Sequence, residues 1–139
     1  MARVLVDTGA VVALVNRADR HHAAAVDWFR AFRGELLTSD AVITETAYVL
    51  ASSPAHQQAA LVWFERARAA GLLRVEAVED YAAIARILAR YASLPCDYAD
   101  ATLIALAERT GVAAIATVDQ RDFSVYRLAG RRRFRLVLG

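Results

Sequence analysis

The sequence has no lysine, one cysteine and no long apolar run, and each absence excludes a class of protein. All 17 basic residues are arginine, so the chain lacks the lysine that a P-loop or a Schiff-base enzyme needs. Cys96 has no partner for an intrachain disulfide or a multi-cysteine zinc site. No apolar stretch approaches the ~20 residues of a membrane-spanning helix, and the first residues lack the features of a secretory signal. We therefore expect a cytoplasmic protein with no membrane partner.

The residues that are present indicate one globular domain. Hydrophobic residues make up 58% of the 139 positions, which is enough to form one core without disulfides or a structural metal. The sequence has no linker, repeat or low-complexity segment, so we predict a single domain over residues 1–139. The net charge is only +2, but arginine binds phosphate well because its guanidinium can donate two parallel hydrogen bonds.

Apolar spacing and turn residues predict an alternation of strands and helices. Strands are predicted at residues 4–6, 36–38, 73–78, 113–118 and 134–138. Helices are predicted from residue 8 and at residues 22–32, 41–51, 56–70, 79–91 and 98–110. Strands separated by helices pair in parallel, with helices on both faces of the sheet. The predicted fold class is therefore α/β, a three-layer α/β/α sandwich with a central, mainly parallel sheet.

Acidic residues stand next to apolar segments at four places in the sequence. Asp7 follows "VLV", Glu45 lies in "AVITETAYVL", Asp100 lies in "DYADATLIALAE", and Asp119 follows "AAIATV". Each has a structural explanation when taken alone. Asp7 could cap the next helix, Glu45 could be an exposed helical position, and Asp119 could begin a turn. Asp97 could be a helix N-cap with Asp100 three residues further on.

Taken together, the four acids are harder to explain as isolated structural features. Ligands of such sheets bind beyond the carboxyl ends of the strands, where Asp7 and Asp119 are both predicted to lie. Carboxylates that converge there repel one another unless a cation lies among them. Hard oxygen ligands select Mg²⁺ or Mn²⁺, and such an ion suits the hydrolysis of phosphodiester bonds. The substrate class would then be nucleic acid.

Several segments in their order and spacing resemble the PIN-domain family. The resemblance is to VapC-type toxins of prokaryotic type II toxin–antitoxin systems, it runs nearly end to end, and it implies a PIN-like fold. The segments that carry it are "VLVDTGAVVAL", "ITETAYVL", "DYADATLIALAERTGVAAIATVDQRDF" and "GRRRFRLVLG". The resemblance implies a Mg²⁺- or Mn²⁺-dependent endoribonuclease that cleaves tRNA or rRNA and so inhibits translation. The catalytic acids that it implies are Asp7, Glu45, Asp100 and Asp119.

Within this implied site we expect Asp7 and Asp100 to bind the metal directly, since both lie at fixed element ends. The resemblance assigns the hydroxyl groups of Thr8 and Thr117 to orienting the carboxylates. Asp97 is an additional acid that the motif does not require, and we rank a helix cap ahead of a metal-assisting role for it.

The resemblance also implies partners. VapC-type toxins bind a cognate antitoxin and commonly form homodimers. The densest basic segment is a candidate for holding the RNA backbone, although such a run usually forms a solvated surface. Its residues are Arg131, Arg132, Arg133 and Arg135.

Two other functions compete with the nuclease. One is a non-catalytic RNA- or protein-binding module that retains the PIN-like fold. Retention of all four acids argues against it, because a binding module gains nothing from mutually repelling carboxylates. The other is a phosphotransfer or phosphatase domain with Asp7 as the phosphoacceptor. It ranks lower, because receiver domains use a lysine and dehalogenase-type phosphatases need an aspartate where this chain has Gly9.

Overall fold

The sheet has five strands in the order β3-β2-β1-β4-β5. The computed structural model describes residues 2–138, so Met1 and Gly139, the ends of the predicted domain, lie outside the described residues. The strands are β1 (Ala2–Val6), β2 (Gly34–Ser39), β3 (Leu73–Glu76), β4 (Ala114–Ala116) and β5 (Arg135–Leu136). The helices are α1 (Thr8–Val15), α2 (His22–Ala31), α3 (Asp40–Val49), α4 (Pro54–Ala69), α5 (Tyr81–Arg90), α6 (Tyr98–Thr110) and α7 (Gln120–Val125). No helix within residues 2–138 is long and apolar enough to cross a membrane.

Every strand pair in this sheet is parallel, which confirms the predicted fold class. Strand β1 is central, with β2 on one side and β4 on the other. The strands β1, β2 and β3 extend the sheet in one direction, and β4 and β5 extend it in the other. The order of the chain therefore reverses between β1 and β4, and α/β sheets bind ligands in the crevice at such a point.

The two faces of the sheet carry separate hydrophobic cores. Val4 and Val6 of β1 face one core, which includes residues of α1, α2 and α4. Leu5 faces the other core, which includes residues of α5 and α6. Because both faces are covered, β1 reads as a continuous apolar run rather than an alternating one. The result is the predicted three-layer sandwich.

The predicted elements differ from the structure mainly at their ends. The predicted strand 113–118 is shorter, and a helix that the sequence did not predict, α7, follows it. Helix α4 begins at Pro54 rather than at residue 56, because proline is well tolerated in the first helical turn.

Candidate active site

Seven acidic side chains line one cleft of about 440 Å³ next to the ends of β1 and β4. Five of them come from the sequence prediction, namely the four acids of the implied site and Asp97. The other two, Asp19 and Asp122, were not predicted as site residues. The seven are Asp7, Asp19, Glu45, Asp97, Asp100, Asp119 and Asp122.

Asp7 has one side-chain oxygen that accepts no hydrogen bond from residues 2–138. It lies between β1 and α1 in extended backbone conformation, with φ −94° and ψ 162°, and its side chain makes no capping hydrogen bond. Asp7 therefore occupies the N-cap position of α1, but its side chain does not cap the helix. Its Oδ2 accepts a hydrogen bond of 2.8 Å from the Thr117 hydroxyl. Its Oδ1 is buried and has no hydrogen-bond partner within residues 2–138, which leaves this atom for a ligand.

Asp100 is held from two sides. It lies in the first turn of α6, and its backbone N–H donates to Oδ1 of Asp97 over 2.8 Å. Its Oδ2 accepts a hydrogen bond of 2.8 Å from the Tyr126 hydroxyl. The Tyr126 ring is fully buried and packs edge-on against Phe123, with the ring centroids 5.1 Å apart. Burial and the neighbouring Asp100 raise the pKa of Tyr126, so the phenol stays protonated and donates this bond.

Two of the cleft acids also begin helices. Asp97 is the N-cap of α6, as the sequence predicted. Asp119 is the N-cap of α7, and its Oδ1 accepts from the backbone N–H of Asp122 over 3.1 Å. The predicted turn at Asp119 is therefore the first turn of a helix. The Asp119 N–H in turn donates to the Thr117 hydroxyl over 3.0 Å, so Thr117 links the acids at the ends of β1 and β4.

Burial and mutual repulsion raise the pKa of four carboxyl groups in the cleft, namely those of Asp7, Glu45, Asp100 and Asp122. Burial is the largest cause in each case. The pKa of Asp7 rises to about 6. The pKa of Asp100 rises to about 8, and the charge of Asp7 contributes to this shift after burial. The pKa of Glu45 on α3 rises to about 7 because of its partial burial and the adjacent Asp97. Without a cation, the cleft therefore retains protons close to neutral pH.

The donor set fits a hydrated hard cation. Carboxylate oxygens are the ligands that Mg²⁺ and Mn²⁺ prefer, and Asp7 Oδ1 is a buried oxygen without a partner. No group of three or more His, Cys, Asp or Glu side chains within residues 2–138 is arranged to hold a metal ion alone. An ion here would keep water in part of its coordination shell, as Mg²⁺ usually does. The hydroxyl of Thr8, expected to orient a carboxylate, is buried and makes no hydrogen bond with the described residues.

Gly9 explains how the start of α1 approaches the end of β4. A Cβ atom at this position would lie 2.4 Å from Cγ2 of Val118, which precedes Asp119. Both Gly9 and Val118 line the acidic cleft. A larger residue after Thr8 would displace Val118 and with it the adjacent acid, so the small residue in "DTG" keeps the two sides of the cleft close together.

The basic run lies at the opposite edge of the sheet. Because β5 is parallel to β4, the residues that precede β5 lie at the amino end of the strands. Nη2 of Arg132 donates to the carbonyl of Gly111, before β4, over 3.4 Å. Arg133 forms an isolated antiparallel bridge with Arg127. Arg131 lines a separate pocket, Arg135 lies in β5, and none of the four arginines of the run lines the acidic cleft.

Three site residues were not predicted from the sequence, and they differ in whether any sequence pattern indicates them. Asp122 lies in "TVDQRDF", four positions before Tyr126. This stretch belongs to a segment that carries the family resemblance, so the resemblance could have identified Asp122. Asp19 lies in a polar loop between α1 and α2, where apolar periodicity carries no information. The bond between Tyr126 and Asp100 joins residues that are 26 positions apart, and no local pattern indicates it.

These observations define the class of protein, which is a parallel α/β/α sandwich with an acidic cleft at the strand ends. Within that class, the PIN domain family model matches residues 4–129. The chain therefore belongs to the PIN domain family.

Two relatives confirm the resemblance to VapC-type proteins. The chain is 29% identical over 134 residues to Ribonuclease VapC26 of Mycobacterium tuberculosis, covering 96% of this chain and 99% of the relative. It is also similar to the crystal structure of Mycobacterium tuberculosis VapC20, a Sarcin-Ricin loop cleaving toxin. That similarity has a TM-score of 0.73 at 25% identity and covers 85% of this chain and 91% of the other.

Proposed function

We propose that the protein is a Mg²⁺- or Mn²⁺-dependent endoribonuclease and the toxin of a type II toxin–antitoxin system. The observation that carries the proposal is the buried Oδ1 of Asp7, which has no hydrogen-bond partner within residues 2–138 and lies in a cleft lined by seven acids. The activity follows the relatives, since VapC26 is a ribonuclease and VapC20 is a Sarcin-Ricin loop cleaving toxin. By hydrolysing tRNA or rRNA, the protein inhibits translation.

The residues of the cleft have distinct tasks in this proposal. Asp7 and Asp100 hold the ion, and the hydroxyl groups of Thr117 and Tyr126 fix one oxygen of each carboxylate. Glu45 and Asp119 complete the acidic pocket. When bound, Mg²⁺ or Mn²⁺ lowers the pKa of a water molecule and neutralises charge that develops on the scissile phosphate.

The remaining assignments follow the family resemblance. The chain forms one domain and functions in the cytoplasm. It acts as a homodimer and is inhibited by a cognate antitoxin. A size measurement of the purified protein, alone and with the antitoxin, would test the proposed homodimer and the proposed antitoxin complex directly.

Cleavage of total cellular RNA tests the proposed activity. We expect discrete fragments with Mg²⁺ or Mn²⁺ and none with EDTA. Asp100→Asn should produce no fragments under any of these conditions, because it removes the charge at nearly constant volume. Equal background from the wild type and the variant, with RNA binding that is insensitive to EDTA, would instead support a non-catalytic binding module.

Tyr126→Phe should weaken metal binding without loosening the core. The change removes the hydroxyl group that donates to Asp100 Oδ2 and keeps the buried ring. Loss of a partner that orients a metal ligand typically lowers metal affinity by about 10- to 100-fold. We expect the Mg²⁺ concentration for half-maximal cleavage, and for half-maximal thermal stabilisation, to rise by at least tenfold.

Tyr81→Phe is the matched control for this measurement, because Tyr81 is 64% exposed and does not line the acidic cleft. It should leave both metal titrations unchanged. A Tyr126→Phe variant with wild-type metal dependence would show that the hydroxyl has no positioning role.

A further inference from the structure

A second pocket, of about 600 Å³, lies at the carboxyl end of α7. Three of its eight lining residues are arginines and none is acidic. The arginines come from different elements, namely Arg90 from the end of α5, Arg127 from the segment after α7, and Arg131 from the short 3-10 helix before β5. We call this the arginine pocket. Its charge is the opposite of that in the acidic cleft.

The guanidinium of Arg127 is fixed in place by the end of α7. Its Nη1 donates to the backbone carbonyls of Ser124, Val125 and Tyr126 over 2.7, 2.8 and 3.1 Å. Its Nη2 and Nε donate no hydrogen bond to any group within residues 2–138. A guanidinium has five N–H donors in one plane, so this side chain presents a pre-oriented edge to a ligand.

The other two arginines are also available to an anion. Nη1 of Arg90 donates to the Arg127 carbonyl over 3.4 Å and lies 3.8 Å from Oε1 of Glu108, which is a loose ion pair. Arg131 is exposed, and its φ of 63° places it in the left-handed region. Neither Arg127 nor Arg131 forms a salt bridge with any residue in the range 2–138.

Helix α7 connects the arginine pocket to the acidic cleft. Asp119 and Asp122 at its beginning line the cleft, and Val125 at its end lines the pocket. A helix of six residues is about 9 Å long, so the two sites are separated by a distance that a few nucleotides can span.

Binding of RNA at the acidic cleft requires a site of positive charge nearby. Seven carboxyl groups line it, and a polyanionic RNA is repelled by those that are ionised. The net charge of the chain is only +2, so long-range attraction of RNA is weak. A cluster of arginines at the far end of α7 supplies local attraction about one helix length from the cleft, and bidentate guanidinium contacts suit phosphate geometry.

We propose that Arg90, Arg127 and Arg131 bind a backbone phosphate of the RNA substrate, a few nucleotides from the phosphodiester bond that is cleaved in the acidic cleft. The inference rests on the proposed nuclease function and adds to it a substrate-binding subsite. It assigns RNA contacts to Arg90 and Arg127, which lie outside the basic run of the sequence.

The test measures binding of a fluorescently labelled single-stranded RNA by anisotropy at several salt concentrations. All variants carry Asp100→Asn and are assayed with Mg²⁺, so that the RNA stays intact. The test variant is Arg90→Ala/Arg131→Ala, which leaves the α7 contacts of Arg127 in place. The control is Arg30→Ala/Arg66→Ala, which removes the same charge from exposed positions on α2 and α4.

We expect the test variant to lose affinity and salt dependence, and the control to retain both. Each phosphate contact with a single strand contributes about 0.7 to the slope of log affinity against log salt. The three arginines share one phosphate, so loss of that contact lowers the slope by about 0.7, equivalent to roughly fivefold in affinity at 0.1 M salt. Arg90→Lys/Arg131→Lys retains the charge and should keep most of the slope, which separates loss of an anion contact from damage to the fold.

Equal affinity and slope in the test and control variants would overturn the proposal, even if the wild type cleaves RNA. A selective loss of RNA binding in the test variant would support the pocket even if no cleavage is found. Poly-glutamate provides the remaining comparison. If it binds in the arginine pocket and RNA does not compete with it, the site serves an acidic protein segment and the RNA assignment is wrong.

Discussion

We expect Asp7→Asn to abolish metal-dependent RNA cleavage and to leave the fold intact. Oδ1 of Asp7 is buried and has no hydrogen-bond partner within residues 2–138, and this carboxylate enters the cleft directly after β1. The amide is neutral and binds a hard cation poorly. We expect a loss of activity on the order of 1,000-fold, equivalent to about 4 kcal/mol of transition-state stabilisation.

The fold should tolerate this change for a physical reason. The amide oxygen can accept the Thr117 hydrogen bond that Oδ2 accepts now, and the side-chain volume is nearly unchanged. In EDTA at pH 8 the variant also loses a buried negative charge, so its melting temperature should not fall. The measurements are fragment yield from RNA and a thermal melt of each protein.

Asp27→Asn is the matched control, because Asp27 is exposed on α2 and does not line the cleft. It should cleave RNA at the wild-type rate. An Asp7→Asn protein that melts normally and still cleaves RNA within tenfold of the wild-type rate would show that the Asp7 carboxylate is not required for cleavage. An Asp7→Asn protein that is unfolded would show that the carboxylate has a structural task, and Asp100→Asn would then be the informative variant.

The sequence predicted those parts of the fold and site that depend on strand ends. Asp7 and Thr117 are 110 positions apart, yet their side chains form a hydrogen bond. Their proximity follows from one rule, because adjacent parallel strands place the residues after their carboxyl ends at the same edge. Glu45 and Asp100 follow from helical patterns long enough to define a buried face, and both line the cleft.

The features that sequence analysis missed depend on contacts with no local pattern. Helix α7 has six residues, which is too short for apolar periodicity to distinguish it from a turn. Asp19 enters the cleft from an irregular loop. The basic run was a candidate for RNA beside the site, and it precedes β5 at the far edge because that strand is parallel. The direction of a two-residue edge strand cannot be predicted from alternation alone.

The second large effect is on stability, which in the absence of metal should fall as the pH rises from 5.5 to 8. The pKa values of Asp7, Glu45 and Asp100 in the folded protein are about 6, 7 and 8, all above their usual values near 4. Between pH 4 and pH 8 the folded state therefore binds more protons than the unfolded state. Under that condition the free energy of unfolding decreases with increasing pH.

The size of the effect follows from the shifts. One pKa unit corresponds to about 1.4 kcal/mol, so the three groups together should remove several kcal/mol of stability across this range. A metal ion reverses the trend, because it binds the ionised carboxylates and its affinity rises as they lose their protons. Binding to the folded state alone raises the melting temperature in proportion to the logarithm of ion concentration over Kd.

Thermal melts at pH 5.5 and pH 8, in EDTA, in Mg²⁺ and in NaCl of matched ionic strength, measure both trends. We expect the metal-free melting temperature to fall by at least 5 °C between the two pH values. We expect the stabilisation by Mg²⁺ to be small at pH 5.5 and large at pH 8, and NaCl to have little effect. Asp100→Asn should flatten the metal-free curve, because the amide does not titrate.

A metal-free protein that becomes more stable at pH 8, or an equal Mg²⁺ effect at both pH values, would mean that the buried carboxyl groups do not form a cation site. Burial and mutual repulsion of the carboxylates lower the stability of the metal-free protein at pH 8 and also favour binding of a divalent ion, so the two trends should appear together or not at all.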